Sequence, residues 1–104
     1  MSSAKPVRNH FYVALRSVRV AKGLSQEDFS LVSSRTYVSS LERGQKSATL
    51  GKVDELAGVL GVHPLTLLTL AYAEQFDPAN VDSVFSRVRL ELESIRGGDA
   101  PAAG

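Results

Sequence analysis

The stretch RTYVSSLERG, Arg35 to Gly44, decides how this chain is read. Ser33 and Ser34 stand just before it, and a serine oxygen there accepts the otherwise unpaired amides of a first helical turn. Val38 and Leu41, three positions apart, give the segment an inward side, and Gly44 closes it as a glycine does after a last turn. The other positions carry Arg35, Thr36, Tyr37, Ser39, Ser40 and Arg43. The pattern predicts a short helix over about 35–43 whose outer face is small, polar and basic.

Its neighbours read as helices too. Upstream, Phe11, Ala14, Leu15 and Val18 recur at steps of three and four, predicting a helix over 11–21 that Gly23 terminates. Ser25 with Asp28 three residues on is a variant of the capping box, and Phe29 supplies the inward group of a short second helix. Downstream, Thr49 caps a helix in which Leu50, Val53, Leu56, Ala57 and Leu60 form one stripe up to Gly61. Pro64 suits the first position of a fifth helix carrying Leu65, Leu68, Ala71 and Tyr72. There is no strand of useful length and no internal repeat, so the expected class is all-α with a five-helix core.

After Phe76 the stretch DPAN restarts the chain, Asp77 as a cap and Pro78 in a first turn. From there Val81, Phe85, Val88, Leu92 and Ile95 step by four, three, four and three, with Val84 beside them and Arg87, Arg89, Glu91 and Glu93 off the line. That spacing draws a narrow seam of the coiled-coil kind. Packing on the chain's own core satisfies such a seam, and so does a second copy. An extra helix after a completed core favours the homodimer. The expected organisation is a core over 9–76, an added helix over 78–96 and a disordered tail over 97–104.

Length and composition set the outer bounds. A chain of 104 residues with 43% apolar side chains has material for one modest core. Cysteine is absent, which excludes disulfides, thiolate zinc sites and cysteine nucleophiles. The N-terminal MSSAKPVRNH lacks the apolar run of a secretion signal, and GVLGVHPLTLLTLAYA is too short and too interrupted to cross a bilayer. A cytoplasmic location is the default expectation.

The net charge of +1 hides an asymmetry. Up to Lys46, eight basic side chains face three acidic ones, a balance of +5; from Ser47 onward, four basic face eight acidic, a balance of −4. The front half is therefore the part suited to a polyanion.

That half also holds the constellation that carries function. Two short helices joined by a tight connection, the second capped by serines and bearing Arg35, Thr36, Ser39, Ser40 and Arg43, match what insertion into a DNA major groove requires. The groove admits one helix, small hydroxyls allow close approach, and arginine donates two bonds to guanine O6 and N7. Tyr37 has two uses, stacking on a sugar or packing against the second helix. His10 and His63 lack ligand spacing, so no metal or other cofactor is expected, and His63 before Pro64 suits a cap or the start of a turn. No histidine and carboxylate flank a serine in a nucleophile arrangement, and no glycine-rich phosphate loop follows a strand, so an enzyme is not expected.

The same residues carry a resemblance. LRSVRVAKGLSQEDF, then YVSSLERGQ, then LGKVDELAGVLGVHPLTLL resemble, over about Leu15 to Leu68, the helix-turn-helix domain of the Cro and lambda-repressor class, the XRE family. RTYVSSLERGQ is especially similar to the restriction-modification controller proteins within it. The resemblance implies a lambda-repressor-like domain that binds double-stranded DNA as a homodimer and regulates transcription from a palindromic operator. It implies a phosphate contact for Gln26, and base and backbone contacts for Arg35, Thr36, Ser39 and Ser40; Ser34 and Tyr37, beside them, are further candidate DNA contacts. Arg43, Gln45 and Lys46 correspond to the following loop that touches phosphates, and Arg19 and Glu42 to a structural ion pair. Between SQ and YVS this chain has ten residues, Glu27 to Thr36, where the family usually has twelve; Ser30 takes the place of a small alanine and a glycine is missing. A shortened second helix or a tighter turn follows. A different organisation is an antitoxin-like or anti-regulator protein whose C-terminal half binds a protein partner, with DNA binding kept for autoregulation.

Overall fold

The computed structural model describes residues 8–73 and 75–97, and every regular element among them is helical. The order is α1 (Phe11–Ala21), a single 3-10 helix (Gln26–Phe29), α2 (Arg35–Glu42), α3 (Leu50–Leu60), α4 (Pro64–Tyr72) and α5 (Pro78–Gly97). The chain divides into two compact units between Tyr72 and Ala73.

In the first unit the elements start where the sequence places their caps. The Tyr37 amide donates to Ser34 Oγ at 3.1 Å, and the Lys52 amide to Thr49 Oγ1 at 3.1 Å. At the 3-10 helix the Ser25 amide donates to Asp28 Oδ2 at 2.7 Å, half of the capping box. His63 Nδ1 accepts from the Leu65 amide at 3.0 Å, so this histidine caps α4. Gly61 ends α3 with φ near +72°, a left-handed conformation in which glycine meets no Cβ penalty.

The core is one cluster built from Leu15, Phe29, Val38, Leu41, Val53, Leu56, Ala57, Leu60 and Leu67. Each valine, leucine or phenylalanine among them contributes about 1.5–3 kcal/mol when fully withdrawn from water. Phe29 is the largest of them, and it anchors an element only four residues long. An isolated turn of that size has no stability of its own, so burial of Phe29 is what holds it in place.

The second helix is thus a single turn, Gln26–Phe29. Ser30 to Ser33 then cross to α2 as a tight turn, with the Val32 and Ser33 amides both donating to the Phe29 carbonyl at 2.9 Å. Lys52 of α3 pins this turn from the other side, its Nζ donating to the Val32 carbonyl at 2.6 Å. Its ammonium also lies 5.7 Å from the centroid of the Tyr37 ring.

In the second unit α5 begins at Pro78, its first turn closed by Asp77 Oδ1 accepting from the Asn80 amide at 3.0 Å. Those bonds, and the amide of Asn80 first among them, hold the Asp77 carboxyl below its ordinary pKa. The helix extends through Gly97, one residue beyond the expected end; the rest of the expected tail lies outside the described residues. No residue of α5 is buried, and Phe85, Val88, Leu92 and Ile95 are all exposed in the single chain. Among the described residues no single helix is long and apolar enough to cross a membrane.

Candidate nucleic-acid interface

Helix α2 is two-sided. With 100° between successive residues, Arg35, Ser39, Arg43 and Thr36 fall within about 100° of arc. Arg35, Thr36 and Arg43 are exposed and Ser39 is half-exposed, while Val38 and Leu41 are buried on the other side and Glu42 is buried at the edge of the arc, next to Arg35. A helix with this division presents its basic and hydroxyl groups to solvent on a backbone held rigidly from behind.

Arg43 organises the end of that face. Its guanidinium donates to Ser39 Oγ and, at 3.1 Å, to Gln45 Oε1, joining the helix to the loop that continues through Lys46. Gln45 and Lys46 are exposed. Gly44, between them and the helix, has φ near +73°, and a Cβ there would stand 3.5 Å from Cγ of Tyr12. Glycine lets the loop leave the helix in that direction without strain.

One sequence-based assignment needs correction, and at Tyr37 one of two open uses is taken up. Ser40 is only 6% exposed and is not placed to touch DNA. It lies beyond Thr36 on the flank that turns toward the core, and a hydroxymethyl group is too short to reach back out. Tyr37 is half-buried, packed against the core cluster beneath Lys52, so packing is the use its ring is put to. Ser34 keeps an exposed hydroxyl while it caps the helix.

The anchor at the edge of the face is a carboxylate. Glu42 Oε2 accepts from Arg19 Nε at 2.7 Å and Glu42 Oε1 from Arg19 Nη2 at 2.9 Å, a two-pronged pair whose side chains are 3% and 14% exposed. Arg19 Nη1 also donates to the Leu24 carbonyl at 2.9 Å. Bonding to Glu42 holds the Arg19 guanidinium above its already high ordinary pKa, against the opposing pull of desolvation. Gln26 joins the same group, its Nε2 donating to Glu42 Oε1 at 3.1 Å. That bond orients the half-exposed Gln26 amide and leaves its carboxamide oxygen and second N–H for another partner.

Two residues of the site carry no signal in a single sequence. Glu27, one acidic side chain among several on paper, brings its Oε2 to 3.6 Å from Arg35 Nη1. Lys52 reads as a polar position on α3, and only the fold brings it to the turn ahead of α2. Among the described residues no three His, Cys, Asp or Glu side chains gather as a metal site.

Comparison with known proteins bears on the same residues. A family model described as helix-turn-helix matches residues 15–67. The control protein C.BamHI of Bacillus amyloliquefaciens is 35% identical over 75 residues, 66% of this chain and 93% of that one. The crystal structure of the restriction-modification controller protein C.AhdI from Aeromonas hydrophila is similar with a TM-score of 0.53 at 40% identity, covering 56% of this chain and 91% of that one. The clp gene regulator ClgR of Corynebacterium glutamicum shares the fold alone, with a TM-score of 0.59 at 20% identity over 93% of this chain and all of that one.

Proposed function

The chain belongs to the helix-turn-helix family of XRE type and is a DNA-binding transcriptional regulator, a class without enzymatic activity, and from that premise we propose that it acts as a homodimeric repressor or autoregulator on a palindromic operator. Each copy lays α2 into a major groove, the two grooves about 34 Å apart along one face of the duplex. The observation that carries this reading is the two-sided α2: a polar arc of Arg35, Thr36 and Ser39, backed by buried Val38 and Leu41 and bordered by buried Glu42. Arg35 and Thr36, in the first turn, read base edges, while Ser34 and Ser39 contact the sugar-phosphate backbone. Gln26, Arg43, Gln45 and Lys46 bind phosphates on either side, which positions the helix without reading sequence.

Dimerisation uses α5, through Val81, Val84, Phe85, Val88, Leu92 and Ile95. Support comes from their spacing and from the exposure of Phe85, Val88, Leu92 and Ile95 in the single chain, where much of their apolar surface stays in water. The protein works in the cytoplasm.

The test starts by selecting the preferred duplex from a random pool at physiological salt. On that duplex Arg35→Ala costs about 1–3 kcal/mol and relaxes preference at one base position. Lys46→Ala weakens all sequences alike and lowers the salt slope by about one. Leu92→Asp, on an exposed position, gives a folded monomer by sedimentation that no longer holds the duplex. Equal losses on selected and random DNA for Arg35→Ala demote that residue to a phosphate clamp, and a Leu92→Asp protein that stays dimeric removes α5 from the interface.

A further inference from the structure

We propose that Glu27 is a positioning and specificity-determining residue of the DNA interface, acting through Arg35; the inference rests on the reading of Arg35 as a base contact. Glu27 lies in the shortened 3-10 helix, immediately after Gln26, and its carboxylate is 3.6 Å from the Arg35 guanidinium. The two flank a polar groove of about 270 Å³ together with Arg19, Ser25 and Gln26, between the 3-10 helix and the start of α2. Arg19 and Gln26 are already bonded to Glu42, which leaves Arg35 as the cation that Glu27 faces in that groove.

A carboxylate at the edge of a phosphate-binding surface is costly unless it is used. Both side chains are about two-thirds or more exposed, 68% for Arg35 and 72% for Glu27, so the pair is weak and Arg35 exchanges it readily for a better acceptor. The consequence differs between two kinds of complex. On random DNA, Arg35 reaches for a phosphate and leaves Glu27 unpaired beside other phosphates, a like-charge arrangement that disfavours binding. On a duplex with guanine at the right place, two of the five guanidinium donors bond O6 and N7 and others remain for the carboxylate. Glu27 then steadies the arginine from behind while it reads the base. One negative charge thus lowers affinity for the wrong sequences and supports the right one.

The experiment compares the preferred duplex recovered from a random pool with a random-sequence duplex of equal length, at two salt concentrations, by fluorescence anisotropy. Glu27→Gln raises affinity for the random duplex by about threefold and lowers it for the preferred one by a similar factor, so the specificity ratio falls by about an order of magnitude, the scale of one weak exposed charge interaction acting in each complex. Glu27→Asp retains the charge and recovers part of the ratio. In an Arg35→Ala background, Glu27→Gln leaves the ratio unchanged, because the residue acts through that arginine. A ratio unmoved by Glu27→Gln in the wild-type background, or one that falls equally with Arg35 absent, overturns the proposal. Failure of the underlying reading looks different: Arg35→Ala alone then reduces binding equally on both duplexes.

Discussion

Replacing Glu42 with alanine is the most demanding test of how the DNA-facing helix is held. The substitution removes three hydrogen bonds, two from Arg19 and one from Gln26, and takes the counter-charge from an arginine only 14% exposed. Deleting one member of a buried pair costs about 3–5 kcal/mol, because the remaining charge stays desolvated without compensation. Arg19 keeps the Leu24 carbonyl, which puts the expected loss near the lower end, about 3 kcal/mol. For a small domain of total stability about 5–15 kcal/mol that is a large fraction, and it lowers the thermal midpoint by about 12–24 °C. Urea unfolding followed by far-UV circular dichroism measures it, with an unchanged slope against denaturant as the sign that the native and denatured states are otherwise the same. Arg19→Met combined with Glu42→Leu recovers most of the loss, since apolar replacement of both partners leaves no orphaned charge. A Glu42→Ala protein within about 1 kcal/mol of the wild type refutes the assignment of this carboxylate as the anchor.

Two further outcomes follow from the capping and pinning contacts. Lys52→Met removes the bond to the Val32 carbonyl and is expected to cost about 1–2 kcal/mol, with faster amide exchange at Val32 and Ser33 than in α3; uniform acceleration across both places the effect elsewhere. Because the folded pKa of Asp77 lies below its ordinary value, the support it gives to the first turn of α5 is complete above the ordinary carboxylate range and is lost as pH falls through the lowered folded value. The Asn80 amide resonance reports this, moving at lower pH than in a short peptide of the same sequence, and not at all in Asp77→Ala.

Much of this was legible before any coordinate. Caps and glycines are local chemistry, so Ser34, Thr49, Pro64 and Asp77 mark the helix starts from sequence alone, and the stripes over 11–21 and 50–60 give the inward faces except at Leu50, which is exposed. In α4 the inward positions are Leu67 and Ala71, while Leu65 and Tyr72 of the expected stripe are exposed. The spacing of the segment Glu27 to Thr36 left a shortened second helix and a tighter turn as alternatives, and the chain forms one 3-10 turn followed by a tight connection there. Ser40 was misread because periodicity describes one helix, while burial is decided by what packs across from it. Tyr37 left two uses open on paper, and the core beneath it takes its ring. Glu27 and Lys52 act across turns and between helices, and no period in a single sequence encodes such contacts.

The three donors that converge on Glu42 come from Arg19 and Gln26, and they take hold of a position that is none of Arg35, Thr36 and Ser39. The mechanical fastening and the lettered surface are therefore separate sets of positions on one eight-residue rod. A lineage carrying this domain is free to rewrite Arg35 or Thr36, and so acquire a new cognate site, without eroding the fastening that keeps the rod in place. Divergence of target preference should then run ahead of divergence in the scaffold.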